Sequence, residues 1–271
     1  MKYFIDTEFL EGNQSQRVLG FNVGQTKPTI DLISIGIVAE DGREYYAISK
    51  EFNLKEAWNR FELKPDIDNG GMKKVYWLRE NVLKLIYEEL HRKEMGVYYK
   101  MQEANVIPQI PIIGFTYYNL KKLIKKYGKT NAQIAEEVKK FVYKGADCSA
   151  NVELWGKDVP LEFYGYYADY DWVVFCWLFG KMIDLPQGFS MYCNDLKQMM
   201  DENVSKLKTY QISKIVFPDG EFCFTNDGDG NLSLQLDRIK SSPNYPKQTN
   251  EHNALADARW NKELYEFLNI L

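Results

Sequence analysis

The chain has 271 residues, of which 45% are hydrophobic and 15% aromatic, enough to bury the core of one large α/β domain or of a domain with insertions. Its formal net charge is -4 and its isoelectric point is about 5.5. These values exclude a broad basic surface, so any contact with nucleic acid has to be local and supported by metal ions.

The first ten residues combine a β-forming run with two carboxylates. Tyr3, Phe4 and Ile5 favour a buried strand. Because strand side chains alternate between faces, Asp6 and Glu8 point the same way. Burying them unpaired would be costly, so a cation is their natural partner, and carboxylate oxygens suit Mg²⁺ or Mn²⁺ better than zinc. The alternative is a strand that ends in a solvated turn at Asp6, and these ten residues support both equally.

The next segment predicts a loop and then two paired strands. Residues 11–28 are polar and contain glycine, which is typical of a loop. Residues 29–39 and 43–49 favour strands, and Asp41-Gly42 between them is a strong hairpin signal. With the first strand, this predicts three strands, the last two of which are joined by a tight turn.

Helices and strands alternate through the rest of the chain. Apolar residues have helical spacing at 75–90 and 131–143. A strand at 161–167 leads directly into an apolar helix that ends near residue 179. The later predictions are a short strand at 189–193, a helix at 195–207, a hairpin within 222–234 and a final helix at 253–271. Three antiparallel strands followed by alternating helices and strands predict an α/β fold.

Two histidines occur in the chain, in different surroundings. His91 lies on a helix end rich in Lys, Arg and Glu, which predicts a surface residue. His252 lies just before the final helix, and Asp257 lies one turn inside it. In this arrangement the aspartate can bind a metal while the histidine takes a proton from water. The alternative is structural: Asn250 or Asn253 caps the helix and Asp257 complements its dipole.

Three segments carry a resemblance to a known family. They are DTEF at 6–9, IDLISIGIVAEDGREYYA at 30–47 and HNALADAR at 252–259. Together with an aspartate at the junction near residue 171, they resemble the DEDDh 3′–5′ exonuclease superfamily. Within it, the chain is most similar to the RNase AS-like, polyadenylate-specific exoribonuclease family. The resemblance implies a ribonuclease H-like fold, in which helices flank a mixed sheet.

The resemblance also implies roles for particular residues. Carried over by position, the catalytic residues are Asp6, Glu8, Asp171, His252 and Asp257. The four acids would hold two divalent ions, Mg²⁺ or Mn²⁺, in each active site, and the histidine would act as general base. Tyr170-Asp171 matches the aromatic-Asp pair of the family, which leaves Asp169 as the predicted helix N-cap. The implied substrate-binding residues are Thr7, Phe9 and Leu10.

The implied activity is metal-dependent hydrolysis of single-stranded RNA from its 3′ end to nucleoside 5′-monophosphates. A-rich 3′ ends are the preference of the most similar enzymes. One alternative is a single-stranded DNA exonuclease of the same superfamily, because the catalytic residues do not distinguish RNA from DNA. Another, of a different class, is a nucleic-acid-binding module that has lost catalysis.

The chain is longer than the shorter family members in three regions, at about 11–29, 61–129 and 205–249. No internal repeat or low-complexity linker separates them from the rest, so we expect one exonuclease domain over 1–271 with insertions. These insertions allow three roles, namely dimerisation of two copies, a lid over the site, or a changed substrate preference.

Cysteine use and hydropathy bear on localisation. The four cysteines form no C-x-x-C pair, which argues against a zinc site or disulfide framework and fits a reducing compartment. Acidic residues within the first eleven positions do not fit a signal peptide. The longest apolar run, 172–180, is too short to cross a bilayer. The sequence therefore predicts a cytoplasmic protein without a membrane partner.

Overall fold

The structure is a computed structural model that describes residues 1–18, 21–103, 113–145, 161–218 and 230–271. Within these residues a mixed sheet of five strands has the order β5-β4-β1-β8-β9. Its strands are β1 (Lys2–Gly12), β4 (Thr29–Ala39), β5 (Glu44–Ile48), β8 (Glu162–Gly165) and β9 (Asn194–Asp195). The β1–β4 and β4–β5 pairs are antiparallel, whereas β1–β8 and β8–β9 are parallel. The predicted α/β class with three initial antiparallel strands is therefore confirmed.

Helices flank this sheet. They are α1 (Leu54–Asn59), α2 (Lys84–Glu103), α3 (Tyr117–Tyr127), α4 (Asn131–Gly145), α5 (Asp169–Trp177), α6 (Leu196–Ser205), α7 (Thr209–Val216), α8 (Leu232–Lys240) and α9 (Ala254–Leu268). A π-helix over Arg79–Leu83 precedes α2, and a short 3₁₀ helix spans Met182–Asp184. No helix of the described ranges has both the length and the hydropathy needed to cross a membrane.

Side-chain alternation in β1 divides the core between the two faces of the sheet. Tyr3 and Ile5 pack on one face, in a cluster that includes Val138 of α4 and Phe175 of α5. Phe4 points the other way and packs in a cluster with helices α6 to α9. Because β1 is the central strand, its side chains pack against clusters on both faces of the sheet.

The pairing of β1 with β4 changes register next to the first carboxylates. Glu8 lies opposite Ser34, but Phe9 lies opposite Leu32, so Ile33 is an additional residue in β4. A bulge of this kind inverts the alternation of the strand that contains it. Ile33 thus packs in a third cluster, formed with α1 to α3. Its neighbours Leu32 and Ile35 in β4 pack in the first cluster instead.

The predicted loop over 11–28 is wrong. β1 continues to Gly12, and β2 (Ser15–Val18) pairs with β3 (Phe21–Gln25) in an antiparallel hairpin. Polar contacts join this segment to its surroundings, including a hydrogen bond from Gln14 Nε2 to Asp31 Oδ2 of 2.5 Å. Phe21 and Val23 alternate in β3 but are exposed, and β2 contains Val18 as its one apolar residue, so this segment gives only a weak strand pattern.

Other boundaries differ in smaller ways. The helix predicted over 75–90 begins later, because β7 (Met72–Val75) pairs with β6 (Glu62–Pro65) in a second hairpin. The strand predicted at 189–193 is wrong: Phe189 makes a single bridge to Leu161, and the strand proper is β9. The hairpin predicted within 222–234 lies mostly outside the described residues, and its last residues belong to α8. The single domain with insertions stays a prediction.

Candidate active site

Two elements distant in sequence bring three carboxylates together. Asp6 and Glu8 project from β1, and Asp257 projects from the first turn of α9. One ligand oxygen from each lies within 4.8 Å of those of the other two. Asp6 and Glu8 are half-buried, and Asp257 is buried. The arrangement is thus a compact, largely desolvated set of oxygen donors.

A glycine allows α9 to reach these carboxylates. Gly36 of β4 lies opposite Asp6, and a Cβ atom placed on it would overlap the backbone of Ala254 and Leu255. The N-terminus of α9 therefore rests directly on the sheet. Asn253 caps this helix, since its side-chain oxygen accepts a hydrogen bond of 3.1 Å from the Ala256 N–H. This confirms the cap at Asn253 that the sequence allowed, whereas the catalytic role of His252 and Asp257 stays a prediction.

His252 enters the site through a turn with unusual backbone geometry. Its φ is 67°, and that of Asn250 is 58°, both in the region that non-glycine residues rarely adopt. The backbone N–H of His252 donates to Asp257 Oδ2 at 2.8 Å, and Gln248 Nε2 donates to Oδ1 at 2.7 Å. The imidazole ring contacts Trp77 edge to face, with centroids 4.7 Å apart. The turn thus fixes both the histidine and the aspartate.

Asp171 reaches the site because β8 pairs with only the first part of β1. The pairing ends at Phe4 and Tyr164, so the following backbone groups of β1 need other partners. Asn261 Nδ2 donates to the Ile5 carbonyl at 2.8 Å. Thr7 donates to Asp171 Oδ1 twice, from its N–H at 2.8 Å and from its hydroxyl at 2.6 Å. One oxygen of Asp171 is thereby fixed beside β1.

The prediction that Asp169 caps α5 is wrong. The N-cap position is Ala168, which has no side chain that could cap, and Asp169 is the first residue of the helix. The Ala168 N–H donates instead to Asp195 Oδ2 at 2.9 Å. Tyr167, with φ of 53°, makes the sharp turn between β8 and α5. The sequence did not indicate this turn, because such a backbone usually requires glycine or asparagine.

Burial and mutual repulsion raise the pKa values of the acids. For Asp6, desolvation is the largest cause, followed by the negative charges of Asp171, Glu8 and Asp257, and its pKa lies well above the ordinary range. Desolvation raises the pKa of Glu8 to about 8. It raises that of Asp171 to about 6, although the hydrogen bonds from Thr7 oppose the shift. Desolvation also raises the pKa of Asp257.

The donor set fits divalent cations. Among the described residues, no ion pair involves any of these four acids, so no lysine or arginine offsets their charge there. Clustered carboxylate oxygens are the ligands that Mg²⁺ and Mn²⁺ prefer. A bound divalent cation would offset the repulsion that raises the pKa values. Asp6, Glu8 and Asp257 are the residues best placed to hold it.

In metal-free buffer the native state is expected to lose stability between about pH 5 and pH 8. Because the folded pKa values of Asp6 and Glu8 are raised, the native state binds more protons than the unfolded chain in this window. The stabilisation is present at low pH and is lost as the pH rises through the folded pKa values, by about 3–5 kcal/mol. Urea unfolding in EDTA measures it.

Glu8→Gln should reduce this pH dependence, and Mg²⁺ or Mn²⁺ should restore stability at the higher pH. Glu11→Gln, which changes an exposed acid on the same strand, is the control and should behave like wild type. If Glu8→Gln retains the full wild-type dependence on pH, repulsion within the cluster is not its cause.

A cavity of about 560 Å³ opens beside the carboxylates. Its lining extends from Glu8 and Phe9 on β1 to Phe61 and Trp77, on either side of the β6–β7 hairpin. Phe9 is half-buried and contacts Tyr170 edge to face at 5.7 Å. The cavity is large enough for a small organic ligand, whose usual sites measure about 300–1,000 Å³.

The three residues predicted to bind substrate occupy different positions. Phe9 lines the cavity. Leu10 also borders the cavity, but the residue is only 1% exposed and its side chain packs in the core with Ile33. Thr7 is buried and donates a hydrogen bond to Asp171. It therefore positions Asp171, a candidate metal-binding residue. Their roles toward substrate stay predictions.

Sequence reasoning missed Trp77, Gln248 and Asn261. Each contacts the site through the tertiary fold, and none has a spacing that would single it out. The sequence pointed to Trp77 only as one of the apolar positions of the predicted helix, a pattern that usually indicates core packing.

Comparison with known proteins finds distant relatives of this chain. No protein-family model matches the chain. Two curated proteins, from two strains of Mycobacterium tuberculosis and each named a 3′–5′ exoribonuclease, are similar to it. Each is 26% identical over 202 residues, which cover 74% of this chain and 75% of the relative. The chain is therefore similar, at a distance, to 3′–5′ exoribonucleases.

Proposed function

We propose that this chain is a metal-dependent 3′–5′ exoribonuclease of the DEDDh type with a ribonuclease H-like fold. The observation that carries the proposal is the convergence of Asp6, Glu8 and Asp257 within 4.8 Å, with Asp171 beside them and His252 at the start of α9. The similarity to curated 3′–5′ exoribonucleases supports an enzyme with that activity. The mixed five-stranded sheet flanked by helices is consistent with this fold.

Asp6, Glu8 and Asp257 would hold the metal, and Asp171 would contribute the oxygen that Thr7 leaves available. Bound Mg²⁺ or Mn²⁺ would supply Lewis-acid stabilisation of charge at the scissile phosphate and a more acidic water. His252 accepts the proton of the attacking water at its imidazole ring. The hydrogen bonds to both oxygens of Asp257 hold this ligand in place relative to the histidine turn.

The substrate in this proposal is the 3′ end of single-stranded RNA, and the product is a nucleoside 5′-monophosphate. The cavity beside Glu8 is open to the terminal nucleoside, with Phe9 as one wall. A preference for A-rich 3′ ends belongs to the proposal because the chain resembles polyadenylate-specific enzymes. Discrimination between RNA and DNA depends on contacts with the 2′-hydroxyl.

The test uses 5′-labelled A-rich RNA, mixed-sequence RNA and matching DNA, each with Mg²⁺, Mn²⁺ or EDTA. Wild type should produce a ladder that shortens from the 3′ end only with metal, and mass spectrometry should identify nucleoside 5′-monophosphates. Asp257→Ala should be slower by about 1,000-fold or more. Glu263→Ala, which changes an exposed acid on the same helix, is the matched control and should retain activity. Shortening that persists in EDTA or in Asp257→Ala would contradict the proposal.

A further inference from the structure

Trp77 belongs to two parts of the site at once. One part is the cavity beside Glu8, whose lining includes the indole. The other is His252, whose ring lies 4.7 Å from that of Trp77 at an interplanar angle of 72°. The side chain remains 41% exposed, so packing in the core does not account for its position. The same ring thus faces both a ligand-sized space and the candidate general base.

The backbone around Trp77 is also unusual. The residue lies between the β6–β7 hairpin and the π-helix Arg79–Leu83. Its carbonyl oxygen accepts a hydrogen bond of 2.8 Å from Asn81 Nδ2. π-helical turns are rare and occur frequently at functional sites. Trp77 lies two residues before this π-helix and two residues after the end of β7.

The orientation of the His252 imidazole depends on what the ring contacts. The backbone of this residue is fixed by the hydrogen bond to Asp257 and by the left-handed turn, but these contacts involve the backbone and do not set the orientation of the imidazole ring. Among the described residues, the imidazole of His252 makes one aromatic contact, which is the edge-to-face contact with Trp77. Anything that fixes the indole therefore also limits the imidazole.

We propose that Trp77 couples occupancy of the cavity to the placement of His252. The base of the 3′-terminal nucleoside lies in the cavity against the indole, and the indole, once held, keeps the imidazole oriented toward the attacking water. This inference rests on the proposed function. In it, Trp77 is a positioning residue that senses whether a terminal base is present.

The kinetic test compares RNA that ends in an ordinary nucleotide with the same RNA ending in an abasic ribose. In wild type, loss of the base should lower kcat by about tenfold or more, in addition to any change in KM. In Trp77→Leu, kcat should already be low, and the effect of the base on kcat should fall to about twofold or less. Trp77→Phe keeps an aromatic face and should retain most of the effect.

A second readout does not depend on catalysis. The chain contains two histidines, so a ¹H–¹³C spectrum of the imidazole Cε1–H groups has two signals, and His91→Gln assigns them. With Mg²⁺, uridine 5′-monophosphate should shift the His252 signal of wild type, whereas ribose 5-phosphate should leave it nearly unchanged. In Trp77→Leu the nucleotide-specific part of the shift should disappear.

Trp177→Leu is the matched control, because this tryptophan is 51% exposed and lies on α5 outside the cavity. It should match wild type in both assays. If Trp77→Leu keeps the full effect of the base on kcat and the nucleotide still shifts His252, the coupling is wrong. If wild type shortens no RNA but the nucleotide shifts His252 through Trp77, the coupling stands and the proposed reaction is wrong.

Discussion

Replacing Asp6 by asparagine is expected to reduce the rate of RNA shortening by about 1,000-fold or more. The substitution removes the charge of the side chain but hardly changes its shape. Asp6 lies on the central strand, among the negative charges of Asp171, Glu8 and Asp257. It is therefore the acid whose charge most directly affects a bound cation. Rates of 3′-end shortening in saturating Mg²⁺ or Mn²⁺ measure the effect.

A stability measurement separates this loss from misfolding. Because the charge on Asp6 is repelled by its neighbours, Asp6→Asn should raise the free energy of unfolding in metal-free buffer near pH 8, by about 1–3 kcal/mol. The same variant should lose the stabilisation that metal gives wild type. An inactive variant that is more stable than wild type identifies a functional residue, whereas activity within tenfold of wild type would remove Asp6 from the centre of the site.

The second large effect is expected from Gly36→Ala. The added methyl group would overlap the Ala254 and Leu255 backbone at the start of α9, and backbone atoms cannot move aside as a flexible side chain can. We expect a loss of about 3 kcal/mol in the free energy of unfolding, since overpacking forces the backbone to shift. Displacement of α9 by even about 1 Å should lower the rate about 100-fold, because Asp257 and His252 move with it.

Gly96→Ala provides the control for this prediction. Gly96 lies within α2, and a Cβ atom there meets no atom within 4 Å. Alanine is the better helix former, so this variant should be more stable by about 0.5–1 kcal/mol and fully active. Unfolding curves and shortening rates of both variants give the comparison. Equal behaviour of Gly36→Ala and Gly96→Ala would show that close contact between α9 and the sheet is unimportant.

Parts of the fold were predictable because they follow strong local patterns. The strand predicted at 29–39 coincides with β4, since the segment is rich in β-branched residues and is followed by a hairpin dipeptide. The shared direction of Asp6 and Glu8 follows from the alternation of any strand. The final helix was evident from its apolar spacing and its cap.

The rest could not be predicted because it depends on contacts between distant residues. The sequence did not show that Thr7 donates two hydrogen bonds to Asp171, since this depends on where β8 stops pairing with β1. It also did not place Trp77 beside His252, because the two residues are 175 positions apart in the chain. The β2–β3 pair was missed because its strands are only four and five residues long, and the short alternation of Phe21 and Val23 stands within a polar, glycine-containing segment.

The contact between β1 and α9 has a consequence for biosynthesis. The hydrogen bond from Asn261 to Ile5 joins residues 256 positions apart. During translation this contact cannot form until α9, the last of the described elements, has been synthesised. Long-range contacts of this kind form late and slow folding. A nascent chain that has not yet released α9 from the ribosome lacks both Asp257 and His252. In the proposed function, the polypeptide therefore stays inactive until α9 has left the ribosome and packed against β1.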